Sequence, residues 1–187
     1  MREAARKQLI VKIASEPWEF EQIHALNHQT FTGEIPQHPP SPSGRLIDRF
    51  HNENVYVIGV DERRVAGMIA IRDRRPFALD QRLPNLDEYL PKGRAMCELR
   101  LLAVEQRARR GRLLPVLLDY VWRYCVREGF DLALISGTTR QLKLYAHLGF
   151  VPFGPLVGTP EALFQPMMLT LERFAPRAPR LGRAGRV

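Results

Sequence analysis

The hydrophobic pattern between residues 94 and 150 predicts a strand, a turn, a helix and a second strand in succession. Residues 95–103 alternate between an apolar side and a side that also carries charge, which is the period of a half-buried strand. From Leu113 to Cys125 the apolar residues recur at helical spacing, and Gly129 suits the left-handed residue that ends a helix. Residues 130–135 form a short apolar run that is typical of a buried strand. The segment therefore predicts a βαβ unit with a right-handed crossover.

The chain before this unit contains patterns for three further strands and one more helix. Residues 2–14 include a short apolar alternation that indicates an edge strand. Ser15 is suited to cap a helix, with Pro17 in its first turn. Two runs rich in β-branched residues, 54–60 and 65–71, are joined by a short polar loop and predict a hairpin.

Two internal stretches and the chain's end break the pattern. Residues 32–45 are rich in proline and predict an irregular loop. Residues 72–93 are polar and interrupted by proline, so we interpret them as an insertion outside the core, of a length that is often functional. A last strand is predicted at 164–171. Residues 175–187 combine Pro, Arg and Gly without apolar periodicity, which predicts a disordered basic tail behind a single domain, 1–174.

The formal charge of +8 is unevenly distributed along the 187 residues. Residues 1–12 and 174–187 carry net charges of +3 and +4, so the part between them is nearly neutral. Within that part, residues 92–112 contain seven basic and two acidic side chains. Positive charge is thus concentrated at one turn, which favours a local anion site over a general binder of nucleic acid.

Several classes of function lack their usual residues. Cys97 and Cys125 fall in a predicted strand and helix, and without a signal peptide they indicate reduced core residues of a cytoplasmic protein. The five histidines are scattered, so no metal site is expected. No apolar run approaches the roughly 18 residues that span a bilayer. Ser136 lacks the preceding glycine of a nucleophile elbow, which argues against a hydrolase.

The predicted βαβ unit also carries candidate chemistry. Residues 106–112 precede a helix and contain arginines, so free N–H groups and positive charge favour a bound phosphate; the alternative is a solvated arginine turn. Glu98 lies on a partly apolar strand, where a raised pKa would suit a general base. Its alternative is an ion pair with Arg100 on the same face. Tyr145 follows the loop at 136–138, and its spacing alone indicates a half-buried aromatic residue.

These segments resemble the GNAT acyltransferases. Residues 102–114, LAVEQRARRGRLL, are similar to the acyl-donor loop, and residues 142–154, LKLYAHLGFVPFG, are similar to the helix and strand with the Leu-Gly-Phe signature. The composition of 72–93, followed by Glu98-Leu99-Arg100, is similar to the autoinducer synthase and N-acyl amino acid synthase branches. The resemblance implies an α/β fold with a mixed, mostly antiparallel sheet, helices on both faces and a parallel strand pair at the donor cleft.

The resemblance also implies a role for each part of the site. Glu98 would act as the general base, and Tyr145 as the general acid that protonates the departing thiolate. The pantetheine arm and the oxyanion would bind backbone amides of Leu102, Ala103 and Val104. The donor phosphates would bind at Arg107, Arg109, Arg110, Gly111 and Arg112. The acceptor would contact Arg100, Ser136 and Thr138.

Three functions are compatible with these features. The first is an N-acyltransferase that moves an acyl group from a pantetheine thioester to the amine of a small molecule such as an amino acid. The donor would be acyl-CoA or an acyl carrier protein; the single glycine of the loop and the charge of 92–112 favour an acidic carrier protein. The second is an acetyl-CoA-dependent N-acetyltransferase, and the third a non-catalytic binding module. A long acyl chain would require an apolar tunnel beside Glu98, lined by residues 74–93.

Overall fold

The computed structural model describes residues 9–160 and 162–174, so the predicted tail and the beginning of the predicted first strand lie outside the described residues. The strands are β1 (Ile10–Ile13), β2 (Val55–Asp61), β3 (Arg64–Arg72), β4 (Met96–Val104), β5 (Leu132–Thr138), β6 (Val151–Pro152), β7 (Val157–Thr159) and β8 (Ala162–Thr170). The helices are α1 (Pro17–His28), α2 (Ala78–Arg82), α3 (Leu113–Arg127), α4 (Leu142–Leu148) and α5 (Leu171–Phe174). A π-helix, Gln29–Glu34, extends α1.

The strands form one eight-stranded sheet in the order β1-β2-β3-β4-β5-β8-β6, with β7 also paired to β8. Neighbouring strands are antiparallel except β4 and β5, which run parallel on either side of the α3 crossover. The predicted hairpin is present: Glu62 and Arg63 form a two-residue turn with φ angles of +47° and +63°. The mixed, mostly antiparallel sheet with one parallel pair confirms the predicted fold class.

Helices cover both faces of the sheet, as predicted. On one face, α3 packs its apolar side against the middle strands, and Leu148 of α4 and Phe174 of α5 join the same core. On the other face, α1 buries Ile23 and Leu26 against β2 and β3. Burial of these stripes is the main source of the fold's stability, because each removes apolar area from water on both the helix and the sheet.

The predicted cap of α1 is wrong by one residue. The helix begins at Pro17 with Glu16, not Ser15, as its N-cap. The reason is Glu19, whose buried carboxylate accepts the backbone N–H groups of Ser15 at 2.8 Å and Glu16 at 3.1 Å. The carboxylate of a residue in the first turn therefore accepts the N–H groups at the start of the helix. It takes the place of a serine hydroxyl before the helix.

The interpretation of residues 72–93 as lying outside the core is also wrong. Four of their large apolar side chains are at most 5% exposed: Phe77, Leu79, Leu83 and Leu86. They pack against Leu132 and Leu134 of β5 and Phe164 of β8, on the same face as α1. The prolines interrupt regular structure without preventing burial, so the insertion forms a small core of its own over one end of the sheet.

Candidate active site

The parallel strands β4 and β5 separate after a short paired region. Residues 96–98 pair with 132–134, and no further pair joins the two strands within the described chain. A bulge in β4 lies just beyond this point: residues 101–102 face Ile69 of β3 alone, and Leu101 has a φ angle of +53°. Because a bulge bends its strand and leaves backbone groups outside the ladder, the sheet opens here.

This opening is part of a cleft with about 950 Å³ of space between its walls. One wall is β4 with α2, and the other is β5 with α4. Phe31, Ile35 and Gln37, from the segment after α1, close the cleft on a third side. Six of the residues predicted for the site line it together: Glu98, Arg100, Leu102, Ser136, Thr138 and Tyr145.

Glu98 is held in the β4 wall by the first turn of α2. Its two carboxylate oxygens accept the backbone N–H groups of Ala78 at 2.7 Å and Leu79 at 3.1 Å. The side chain is 1% exposed. Burial raises the pKa of Glu98, although Arg100 and the two N–H groups oppose the shift. A fixed carboxylate with a raised pKa is chemically suited to accept a proton near neutral pH.

Arg100 forms its shorter ion pair with Asp48. Two guanidinium nitrogens donate to the two carboxylate oxygens at 2.8 and 3.0 Å, a bidentate arrangement, whereas the approach of Arg100 to Glu98 is 3.6 Å. Burial would raise the pKa of Asp48, but the bonds from Arg100 and Asn54 lower it overall. The ion pair between Glu98 and Arg100, which was the alternative interpretation of Glu98, is thus present, but it is longer than the pair between Arg100 and Asp48.

Tyr145 approaches the cleft from the opposite wall. Its hydroxyl lies 3.5 Å from Oε1 of Gln141, and its ring meets Phe150 edge-on with centroids 6.4 Å apart. A Cβ atom at Gly137 would lie 2.9 Å from this ring, so the close packing requires glycine there. Burial raises the pKa of Tyr145, which keeps the phenol protonated. Both a packing role and a proton-donating role are compatible with this position, and the second stays a prediction.

The remaining predicted contacts differ in their availability to a ligand. Among the described residues, Ser136 carries a buried hydroxyl oxygen without a hydrogen-bond partner. Leu102 lies in the bulge, so its backbone is out of the regular ladder. Ala103 and Val104, by contrast, pair with β3 and are absent from the described lining of the cleft. Of the three predicted backbone positions, only Leu102 therefore faces the opening.

The predicted phosphate loop lies beyond the end of β4, between Glu105 and the start of α3. Arg107 contacts Glu105 at 3.2 Å. Arg109 donates to the carbonyl oxygen of Val104 at 2.9 Å and also pairs with Glu34 of the π-helix. The other predicted members of the loop are exposed: Arg110, Gly111 and Arg112.

The expectation of free N–H groups throughout this loop needs correction. The amides of Ala108, Arg109 and Gly111 donate to carbonyl oxygens within the loop itself, because residues 106–108 form a separate 3-10 turn. The free amides of a helix start are those of the first turn of α3, which begins at Leu113. Positive side chains, more than backbone amides, thus characterise residues 106–112.

A second cavity, apolar and of about 510 Å³, lies on the α3 face of the sheet. It is adjacent to the cleft, because Leu99, Leu118, Leu148 and Phe150 line both. Trp122 and other apolar residues of α3 and α5 complete its lining. The predicted tunnel lined by residues 74–93 is therefore wrong: α3, α5 and the sheet line the apolar cavity, whereas residues 74–93 pack on the opposite face.

Residues 9–160 and 162–174 contain neither a metal-binding cluster nor a helix suited to cross a membrane. Within that part of the chain, no group of three or more His, Cys, Asp or Glu side chains is placed to hold a metal ion. No helix among the same residues has the length and apolar character needed to cross a bilayer.

The sequence profile of the family described as N-acyl amino acid synthase FeeM matches residues 22–171, which is most of the chain. The protein belongs to the FeeM family. It is therefore an acyltransferase, and the predicted membership of the GNAT superfamily with its synthase branches is confirmed. No curated protein matches the chain.

Solved structures share the fold of this FeeM-family chain. The CoA-dependent acyl-homoserine lactone synthase BjaI is 21% identical with a TM-score of 0.80, over 95% of this chain and 90% of its own. FeeM from uncultured soil microbes is 16% identical with a TM-score of 0.72, over 93% and 98%. A GNAT-family acetyltransferase from Staphylococcus aureus Mu50 is 12% identical with a TM-score of 0.61, over 88% and 99%. At these identities the likeness concerns the fold alone.

Two charged residues important for the cleft of this FeeM-family protein were not predicted: Arg82, which lines it, and Asp48, which pairs with the lining residue Arg100. Asp48 lies in the irregular segment before β2, where neither periodicity nor a motif indicates a buried carboxylate. Arg82 ends α2 and lines the cleft beside Glu98. The only available signal was the position of Arg82 four residues after Ala78 in a possible helical turn, and the prolines on both sides concealed it.

Proposed function

We propose that this FeeM-family protein is an N-acyltransferase that moves an acyl group from a pantetheine thioester to the amine of a small molecule such as an amino acid. The observation that carries the proposal is the position of Glu98. This buried carboxylate with a raised pKa lines the opening between β4 and β5, where a polar face of the sheet meets an apolar cavity. Acyl transfer needs a general base next to a site that holds the acyl group.

In the proposed reaction, the pantetheine arm lies in the opening between the two strands. The donor phosphates lie beyond the end of β4, near Arg107, Arg109, Arg110, Gly111 and Arg112. Glu98 accepts a proton from the acceptor amine, and the amine nitrogen attacks the thioester carbon. Backbone amides at the bulge, with Leu102 as the candidate, stabilise the oxyanion. The carbon–sulfur bond then breaks, and the thiolate takes a proton from the hydroxyl of Tyr145.

The apolar cavity supports an acyl chain longer than acetyl. We propose that the chain enters this cavity from the cleft by a passage between Leu99, Leu118 and Leu148, which line both spaces. A chain of several methylenes that enters the cavity would gain about 0.8 kcal/mol for each one removed from water, a gain that an acetyl group lacks. We therefore favour a medium or long acyl group over acetyl.

Both proposed donors carry the same phosphopantetheine arm. The basic stretch at 92–112 suits the phosphates of acyl-CoA and equally the surface of an acidic acyl carrier protein, which is the proposed protein partner. We place the reaction in the cytoplasm, where Cys97 and Cys125 stay free thiols.

The test is transfer of decanoyl and acetyl groups, each offered as the CoA thioester and on an acyl carrier protein, to a panel of amino acids. Products are identified by mass spectrometry. Decanoyl transfer is expected to exceed acetyl transfer. Leu118→Trp should fill the passage and reverse this preference, whereas Val126→Trp, on the exposed side of the same helix, should leave it unchanged. Equal use of both acyl groups by all three proteins would contradict the proposal.

A further inference from the structure

We propose that Arg82 binds the carboxylate of the acceptor, so that this site selects an amino acid as a zwitterion placed between Arg82 and Glu98. The inference rests on the proposed function and adds to it the residue that selects the acceptor. It makes Arg82 a specificity-determining residue of the β4 wall.

The position of Arg82 follows from the short helix α2. Residues four apart in a helix lie on the same face, so Arg82 lies one turn beyond Ala78. The N–H group of Ala78 donates to Glu98, and both Ala78 and Arg82 line the cleft. The same helical turn therefore fixes the carboxylate of Glu98 and places a guanidinium group beside it.

Arg82 differs from neighbouring arginines because it forms no ion pair with an acidic group of the described chain, although Glu98 acts on it electrostatically. Arg100 pairs with Asp48, and Arg72 contacts Glu53 at 3.3 Å. Within the described part of the chain, Arg82 has neither a hydrogen bond nor an ion pair; its guanidinium carbon lies 4.2 Å over the ring of Phe164. Although solvent reaches the side chain, loss of water in the concave wall lowers the pKa of Arg82. A partly desolvated cation of this kind favours a bound anion.

Two opposite charges that line one cleft without pairing with each other suit a zwitterion. Glu98 and Arg82 affect each other's pKa, yet they form no ion pair with each other in the described structure. A ligand that carries an ammonium and a carboxylate on adjacent atoms can therefore lie between them, with the ammonium on Glu98. Stacking on Phe164 holds the guanidinium plane and leaves its N–H donors for a bidentate contact.

The donor phosphates do not account for Arg82. The loop proposed to bind them begins after Val104, six residues beyond Glu98 along β4, which is about 20 Å of extended strand. That loop carries its own arginines, which are absent from the described lining of the cleft, whereas Arg82 lines the cleft together with Glu98. The acceptor is the remaining reactant that can bring an anion to this end.

Binding of two product-like probes tests the proposal without requiring turnover. N-decanoylglycine carries the carboxylate common to amino acids, and N-decanoylglycinamide replaces it by a neutral amide. Calorimetry on the wild-type chain is expected to show 10- to 100-fold tighter binding of the acid, roughly the strength of hydrogen bonds to a charged group. Arg82→Gln should abolish this preference, and Arg82→Lys should restore part of it.

Arg49→Gln is the matched control, because Arg49 is exposed and contacts Gln81, the neighbour of Arg82. It removes one positive charge from the same region and should keep the preference for the acid. Equal affinities in the wild type, or a preference that survives Arg82→Gln, would overturn the proposal.

The two proposals fail in different ways. If the thioester assay shows no acylation of any amine while the acid preference depends on Arg82, the transferase proposal fails and the carboxylate site stands. If acylation occurs and Arg82→Gln leaves the acid preference unchanged, only the carboxylate site is contradicted. Absence of binding of either probe to the wild type would contradict both.

Discussion

The two strands that part to form the cleft differ in how completely their polar groups are satisfied. On the β4 side, Glu98 accepts two backbone N–H groups, and Arg100 has a bidentate partner in Asp48. On the β5 side, the hydroxyl oxygen of Ser136 lacks a partner among the described residues, and the hydroxyl of Tyr145 forms a long hydrogen bond of 3.5 Å to Gln141. Apart from Arg82 on α2, the polar groups of the β4 wall are thus preorganised, whereas those of the β5 wall remain available to a ligand.

The difference has a structural cause. β4 is supported by β3 along its length and by α2 across the sheet, so its charged groups have neighbours on two sides. At the opening, β5 is paired to β8 alone. Chemistry that requires a fixed geometry is therefore expected on β4, and groups that adapt to the donor are expected on β5.

Glu98→Gln should produce the largest loss, because it removes the base from the preorganised wall. We expect a decrease in turnover of about 10²- to 10⁴-fold. In the wild type, turnover should fall as the pH is lowered through the raised pKa of Glu98, because the protonated carboxyl cannot accept a proton. Steady-state rates over a pH series measure both effects. An unchanged acid limb in Glu98→Gln would assign that limb to another group.

Asp48→Asn tests whether the partners of the β4 wall matter. It leaves Arg100 partly buried without its main carboxylate, which should lower the free energy of unfolding by about 3 kcal/mol. Arg100 is then free to approach Glu98, which should lower the pKa of Glu98 and move the acid limb of turnover to lower pH.

Denaturant unfolding at several pH values measures this stability effect. Asp48 has a lowered pKa, so the stability that it contributes is present above its unfolded-state pKa and is lost as the pH falls through its folded-state value. The stability difference between the wild type and Asp48→Asn should therefore shrink in acid. A constant difference would show that packing, not charge, explains the effect.

Tyr145→Phe should have a smaller effect, of about tenfold on turnover with donor affinity unchanged. A thiolate is a good leaving group because a thiol pKa is near 8.5, so protonation contributes less here than at an alkoxide. Single-turnover kinetics and donor binding separate the two quantities. Leu144→Ala, on the same helix but outside the described lining of the cleft, is the control for altered packing. A loss larger than that of Glu98→Gln would reverse the ranking of the two walls.

Glu34→Gln should have the smallest effect, and it should strengthen donor binding, whereas the substitutions above cause losses. Glu34 pairs with Arg109 and would compete with a donor phosphate for this guanidinium, so its neutralisation should tighten donor binding about two- to fivefold, as expected for an exposed ion pair. Arg109→Ala should weaken donor binding by a similar factor. Both effects should decrease at high salt. Titration of CoA at two salt concentrations checks the signs.

Local patterns in the sequence determined the fold and the centre of the site. The alternation in β4, the helical spacing of α3 and the Leu-Gly-Phe end of α4 each depend on neighbouring residues, so they predict elements and bring Glu98 and Tyr145 towards one cleft. The resemblance to the GNAT acyltransferases also implied a parallel strand pair at the donor cleft. In the structure β4 and β5 form this pair and separate beyond residues 98 and 134.

Tertiary structure alone decided which charges are neutralised and where the apolar space lies. Asp48 and Arg100 are 52 residues apart, and Glu34 and Arg109 are 75 apart, so no local period connects them. The insertion's leucines are buried because β5 and β8 present an uncovered apolar face, a fact absent from the insertion's own sequence. Arg82 stands out for a related reason: whether a charge lacks a partner depends on every element that packs around it.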